Sequence, residues 1–296
     1  MPTSETFSQS VLGFSIPERN VRGRLVRLDT LLNDILAAHA YPAPIAHLLA
    51  EALVVTALMG GLVNTEGGQV TLQAQTQGGP VALLVCDWKD GALRGYVDFD
   101  AERVEPLGAN PDLAALFGTG YLAITFDLPV DRGRYQGIVP LEGASLSEAC
   151  ERYFVQSEQI PTAIKVAVGG ANGTFRAAGM VLQHLPDGEV GRERLHVRLD
   201  DPEWDHVRIM GSSLRHDELL DPDLSLEAIV WRLFHEETEV RTQEGLPVAR
   251  GCRCSVEHYH AVLSRFPEAD RAEMRDDNGA ILVDCAFCSR QFAIEV

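Results

Sequence analysis

The chain has 296 residues, a hydrophobic share of 46% and a formal net charge of −18. That length suits a substantial core and more than one domain, and so acidic a field repels nucleic-acid phosphates and anionic membrane surfaces. No uninterrupted apolar run reaches the length of a spanning helix, and the N-terminus lacks a basic start before an apolar block, so the expectation is a cytoplasmic protein with neither membrane span nor secretory signal.

The first half mixes helices and strands. "RLDTLLNDILAAHA" offers Asp29 as an N-cap before an apolar stripe of Leu31, Leu32, Ile35 and Leu36. Pro44 suits the first turn of a second helix carrying Ile45, Leu48, Leu49, Ala52 and Leu53, which ends near Gly60-Gly61. "QVTLQAQTQ" alternates as a half-buried strand does, and "GGP" turns the chain into "VALLVCDW". "GALRGYVDFD", "GYLAITFDLPV" and "RYQGIVPLEG" read as further strands, with a short helix at "PDLAALFG". "SLSEACERYFVQSEQIP" opens with a capping box, Ser145 and Glu148, and stops at Pro161. "TAIKVAVGG" and "FRAAGMVLQHLP" close the mixed region.

The texture changes at about Leu185, dividing the chain into 1–184, 185–250 and 251–296. "LPDGEVGRERLHV" is charged and carries glycine. "DDPEWDHVRIMGSSL" suggests a helix with Trp204, Val207, Met210 and Leu214 on one face. "SLEAIVWRLFHEE" is a strongly amphipathic helix whose stripe is Leu226, Ile229, Val230, Leu233 and Phe234. Residues 214–247 hold nine acidic and three basic side chains, so apolar stripe and negative charge coincide. "TQEGLPVARG" reads as a linker into the last segment.

That segment holds four of the six cysteines, Cys252 and Cys254 in "CRC" and Cys285 and Cys288 in "CAFC". Two close pairs separated by a folded stretch supply the four thiolates of a tetrahedral zinc site. "VLSRFPEADRAEM" would be helix between them and "GAILVDCAFCSRQFAI" a hairpin. His258 and His260 follow the first pair, but four thiolates complete the shell, so both are expected to face solvent. Cys86 and Cys150 stand alone among apolar neighbours and read as core thiols. Residue chemistry leaves the module open as a structural clip or an oxidant sensor, since zinc keeps its sulfurs as thiolates, the form oxidants attack. A zinc ribbon for nucleic acid is disfavoured by the charge. A thioredoxin-like oxidoreductase is disfavoured by a CxxC pair with little chain after it.

Beyond the cysteines, "YPAPIAHLLAEALVVTALM", "GYLAITF", "RYQGIVPLEG", "YFVQSEQIPT", "AAGMVLQHLP" and "VWRLFHEE" stand in an order that resembles the redox-regulated heat-shock holdase chaperones, the 33 kDa chaperonin family. The resemblance implies an α+β protein: a mixed N-terminal core domain, a helical linker region and a small C-terminal zinc domain. It implies one zinc held by Cys252, Cys254, Cys285 and Cys288 in the reduced, inactive monomer. Oxidation would then form Cys252–Cys254 and Cys285–Cys288 disulfides, release zinc and unfold the linker. The oxidised form would dimerise and hold unfolding client proteins without ATP. The sequence is consistent with that last point, having no GxxxxGK[ST] phosphate loop. The implied protein is a chaperone, not an enzyme.

Overall fold

A computed structural model of the chain describes residues 9–63, 66–129, 133–171, 173–185 and 201–296. The chain opens with an antiparallel hairpin, β1 (Ser10–Ile16) and β2 (Val21–Leu28). Sequence periodicity does not reveal β1, because it is buried on both faces. Val11 joins one apolar cluster while Leu12, Phe14 and Ile16 join another, so alternation disappears.

Helix α1 (Thr30–Leu36) buries Leu31, Leu32, Ile35 and Leu36 as expected. Asp29 occupies the N-cap position but makes no side-chain cap bond. Its carboxylate turns instead to Arg176, 3.3 Å away. Helix α2 (Ala43–Leu62) is the centre of the molecule, with 17 of its 20 residues buried. Length and composition alone would let it cross a membrane, yet its apolar window is 94% buried inside the protein. Gly60 does not stop this helix. A Cβ there would lie 2.2 Å from the Trp88 ring, so the glycine admits a close approach to the neighbouring sheet.

Strands β3 (Gln69–Gly78), β4 (Val81–Lys89) and β5 (Ala92–Phe99) form an antiparallel meander. Short helices α3 (Ala101–Val104) and α4 (Leu113–Phe117) lead to β6 (Gly118–Asp127), which pairs with the free edge of β3, and then to β7 (Arg134–Pro140). Helix α5 (Leu146–Tyr153) begins where Ser145 Oγ accepts the Glu148 amide at 3.2 Å. The Glu148 carboxylate reaches back one residue further than a capping box requires, to the amide of Ala144. A π turn carries the helix to Glu158, and β8 (Thr162–Ala171) and β9 (Thr174–His184) follow.

Three helices come next: α6 (Pro202–Ser212), α7 (His216–Leu220) and α8 (Leu226–Phe234). Residues 186–200, which include most of "LPDGEVGRERLHV", lie outside the described residues. The stretch read as a linker is instead strand: β10 (Arg241–Pro247) pairs antiparallel with β1, and β11 (Ala249–Arg250) pairs parallel with β5. The strand escapes sequence reading because it is an exposed sheet edge with almost no apolar side to mark its period. The chain ends with α9 (Val256–Leu263), α10 (Glu268–Met274) and the hairpin β12 (Ile281–Asp284)–β13 (Gln291–Ile294). Pro267 caps α10 and splits the single helix expected here into two.

Among the described residues, the strands outside the β12–β13 hairpin form two sheets, ordered β10-β1-β2-β9-β8 and β11-β5-β4-β3-β6-β7. Helix α2 lies between them, and side chains of α2 and both sheets share one apolar cluster. The other face of the five-stranded sheet, with Leu12, Phe14, Ile16, Leu25, Met180 and Leu182, is covered by α6, α7 and α8. Cys86 and Cys150 are fully buried, as expected of core thiols, and burial raises both thiol pKa values.

Candidate metal centre and the helices beside it

Local sequence explains how the four sulfurs meet. After Cys254, Ser255 accepts the His258 amide through its hydroxyl and starts α9, so the chain leaves the first pair at once. The second pair lies in the turn between β12 and β13. There the Cys288 and Ser289 amides both donate to the Cys285 carbonyl, at 3.2 and 2.8 Å. Ser289 takes a left-handed conformation, φ 54°, which folds the turn tightly.

The result is a compact set of thiols. Cys252 Sγ lies 3.2 Å from Cys254 Sγ and 3.5 Å from Cys285 Sγ, and Cys254 Sγ lies 3.5 Å from Cys288 Sγ. All four sulfurs fall within 4.8 Å of one another, so the group could hold a metal ion. A tetrahedral ion with metal–sulfur bonds near 2.3 Å needs sulfurs about 3.8 Å apart; the three contacts are a few tenths of an ångström shorter, and the whole set stays within 4.8 Å. All four cysteines are free thiols. His258 and His260 are exposed and stand outside the cluster.

The four thiols are not equivalent. Burial pushes Cys285 up, but hydrogen bonds from the Tyr259 hydroxyl and from the Phe287 and Cys288 amides outweigh it and bring the thiol down to about 6. Burial raises Cys254 and Cys288, and the Cys252 sulfur adds to both. Donors aimed at one sulfur favour a thiolate, the form that binds metals and meets oxidants.

The module around the sulfurs is thinly supported. Its own apolar cluster has only Leu263, Ile281 and Ile294 buried, with Tyr259, Val283, Phe292 and Val296 packed beside them. A segment this small does not hold itself together by apolar burial and needs a staple.

The helices upstream are held in two ways. Ile229, Val230, Leu233 and Phe234 are buried against the sheet together with Trp204, Val207 and Leu214, while Leu226 and Met210 pack at the edge. Arginines of the core then grip the chain at the end of α7. Arg27 donates to the Leu219 and Leu224 carbonyls at 2.8 and 3.0 Å, and Arg176 donates to the Leu220 carbonyl at 3.1 Å. Arg19 pairs with Glu237 at 2.9 Å, and His206 meets the other oxygen of the same carboxylate. The apolar stripe is visible in the sequence and these arginines are not, since each acts across more than forty residues.

The family described as Hsp33 protein matches residues 9–295. This chain belongs to the Hsp33 family. A 33 kDa chaperonin of Caulobacter vibrioides is 36% identical over 99% of this chain and 97% of its own length. One from Pseudomonas aeruginosa strain UCBPP-PA14 is 36% identical over 95% of this chain and 90% of its own. The crystal structure of a 33 kDa chaperonin from Thermotoga maritima superimposes with a TM-score of 0.77 at 21% identity, covering 97% of this chain and 95% of that one. The Hsp33 fold thus extends over both sheets, helices α6 to α8 and the cysteine hairpin. The chain is a heat-shock chaperone, of a family that binds unfolded proteins.

Proposed function

We propose that this chaperone is a redox-switched, ATP-independent holdase whose switch is a zinc site made by Cys252, Cys254, Cys285 and Cys288. One observation carries the reading: four sulfurs lie within 4.8 Å of one another in a module with three buried apolar side chains. Four thiolates favour zinc or an iron–sulfur cluster, and zinc has no redox chemistry of its own to compete with that of the sulfurs. When bound, zinc supplies the cross-link that the small core lacks.

The cysteines do the sensing. Peroxide takes two electrons from each pair. One S–S bond forms, the O–O bond breaks, and the two oxygens leave as water with two protons taken from the thiols or from solvent. The pairs that react are Cys252 with Cys254 and Cys285 with Cys288. Oxidised sulfurs are no longer thiolate donors, so the module loses its staple.

The segment 185–250, between the core domain 1–184 and the zinc domain 251–296, is the part that responds. Its helices bury an apolar stripe in a strongly acidic stretch, and the sheet face beneath them is apolar too. Release of α6 to α8 would uncover both surfaces, for clients and for a second oxidised copy, so the oxidised form is a dimer and the reduced form a monomer. Thiolates kept reduced until stress arrives suit the cytoplasm.

Zinc content and client protection test the reading together. Reduced protein should carry one zinc per chain and leave a heat-unfolding client to aggregate. Peroxide-treated protein should carry none and keep the client dispersed without nucleotide. Equal protection by both forms would make the module a structural clip.

A further inference from the structure

The residues enclosed by the two cysteine pairs have a common target. Arg253, between Cys252 and Cys254, donates to Asp87 Oδ2 and to Gln69 Oε1, each at 2.9 Å. Asp87 belongs to β4, is only 4% exposed, and accepts on that same oxygen from Arg94 of β5 at 2.6 Å. Phe287, between Cys285 and Cys288, lies under the Arg94 guanidinium, 3.9 Å from ring centroid to carbon, and meets Tyr96 edge-on at 5.0 Å. Both loops therefore rest on one ion pair of the six-stranded sheet.

Backbone contacts seat the same module. The Gly251 amide donates to the Leu93 carbonyl at 3.0 Å and the Ala249 amide to the Gly91 carbonyl at 2.9 Å. Gly251 is needed for this approach, because a Cβ there would stand 2.3 Å from that of Ala92. Ser289 Oγ donates to the Ala38 carbonyl at 2.7 Å, next to the second pair.

We infer that Arg253 and Phe287 form a two-point latch on Asp87, Arg94 and Tyr96, and that this latch passes the state of the cysteines to the core domain. The inference rests on the zinc-switch reading. Clustered sulfurs keep the two loops side by side, so Arg253 and Phe287 reach the ion pair together. A bond between Cys252 and Cys254 turns their side chains toward each other and rotates the peptides on either side of Arg253. With the second pair closed on itself, no link at the sulfurs ties one loop to the other, and only the small Leu263, Ile281 and Ile294 cluster remains between them. Each latch residue is then left to bind alone, and the advantage of joint binding is lost. The buried Asp87 carboxylate keeps its Arg94 partner, so release strands no unpaired charge in the sheet. Undocking also frees β11 from β5 and, through β10, loosens the strand that leads out of the linker helices.

Hydrogen exchange on the full-length reduced protein, loaded with zinc, tests the latch at the Ala249 and Gly251 amides. One variant removes the module side, Arg253→Ala with Phe287→Ala, and another removes the sheet side, Asp87→Ala. Both should keep one zinc per chain. Both should exchange these amides about tenfold faster than wild type, the scale of one lost charged hydrogen bond. Peroxide should also release zinc faster from both. Wild-type protection in the zinc-loaded Asp87→Ala protein overturns the latch, as does zinc loss confined to the module-side variant with no undocking in the other. Wild-type reduced protein that binds no zinc would instead sink the metal reading itself.

Discussion

Phe14 of β1 and Phe234 of α8 pack with ring centroids 5.7 Å apart and their planes tilted by 32°, and each is 1% exposed. The pair lies in the seam between the five-stranded sheet and helices α6 to α8, and it closes the end of the stripe that begins at Leu226. Truncating Phe234 to alanine removes a buried ring and leaves a cavity, at a cost of about 3–5 kcal/mol. Little of that can be recovered in a stretch whose acidic excess opposes compaction. The reduced, zinc-bound Phe234→Ala protein is expected to show client protection without oxidant and fast exchange of the amides of residues 226–234. Slow exchange there in a variant that has become active would move the client surface elsewhere.

The metal site makes a sharper demand on residue identity. Serine at position 254 or 285 leaves three thiolates, and zinc affinity should drop by orders of magnitude. Alanine at His258 or His260, both exposed and outside the cluster, should leave one zinc per chain. Metal analysis of the reduced variants reads both outcomes. Chelating zinc from reduced wild-type protein should unfold the module, since Leu263, Ile281 and Ile294 are nearly all its buried apolar support. Metal binding in small zinc modules supplies on the order of 10 kcal/mol of folding free energy.

A third expectation concerns pH and the core domain. Glu51 lies buried in α2 and accepts from the Ser147 amide and hydroxyl at 3.0 and 2.9 Å. Burial raises its pKa above 4.5, with the Ser147 bonds opposing. A raised folded pKa means the native state holds its proton longer than the unfolded chain. The stability this gives is full below 4.5 and is lost as pH rises through the folded value. Glu51→Gln keeps an acceptor for Ser147 and carries no charge. Its melting temperature should exceed wild type at pH 8, with the gap shrinking as pH falls toward 4.5. A gap that is constant with pH would show that ionisation of Glu51 is not the cause.

What could be read from the sequence was whatever repeats locally. Helices α2 and α8 announce themselves by apolar spacing, Ser145 by its cap, and the metal cluster by cysteines two and three apart. Strand β1 was hidden because both of its faces are buried, and β10 because both are largely exposed. Neither shows the alternation that marks a strand with one wet face. Asp29 fits a cap by its place in the sequence and serves instead as a partner for Arg176, a residue nearly 150 positions away. The same distance in sequence hid Asp87 from Arg253 and Glu237 from Arg19. Ion pairs between residues so far apart in the chain leave no spacing to detect.

On the proposed function, oxidation of four cysteines turns a quiet chaperone into an active one. Light scattering from a heat-unfolding client measures it directly, with reduced zinc-loaded protein and peroxide-treated protein compared at equal concentration and no nucleotide. Scattering should rise unchecked beside the reduced form and be suppressed by the oxidised form, with dithiothreitol restoring the quiet state once zinc is returned. Suppression of equal strength by both forms, or by neither, would contradict it.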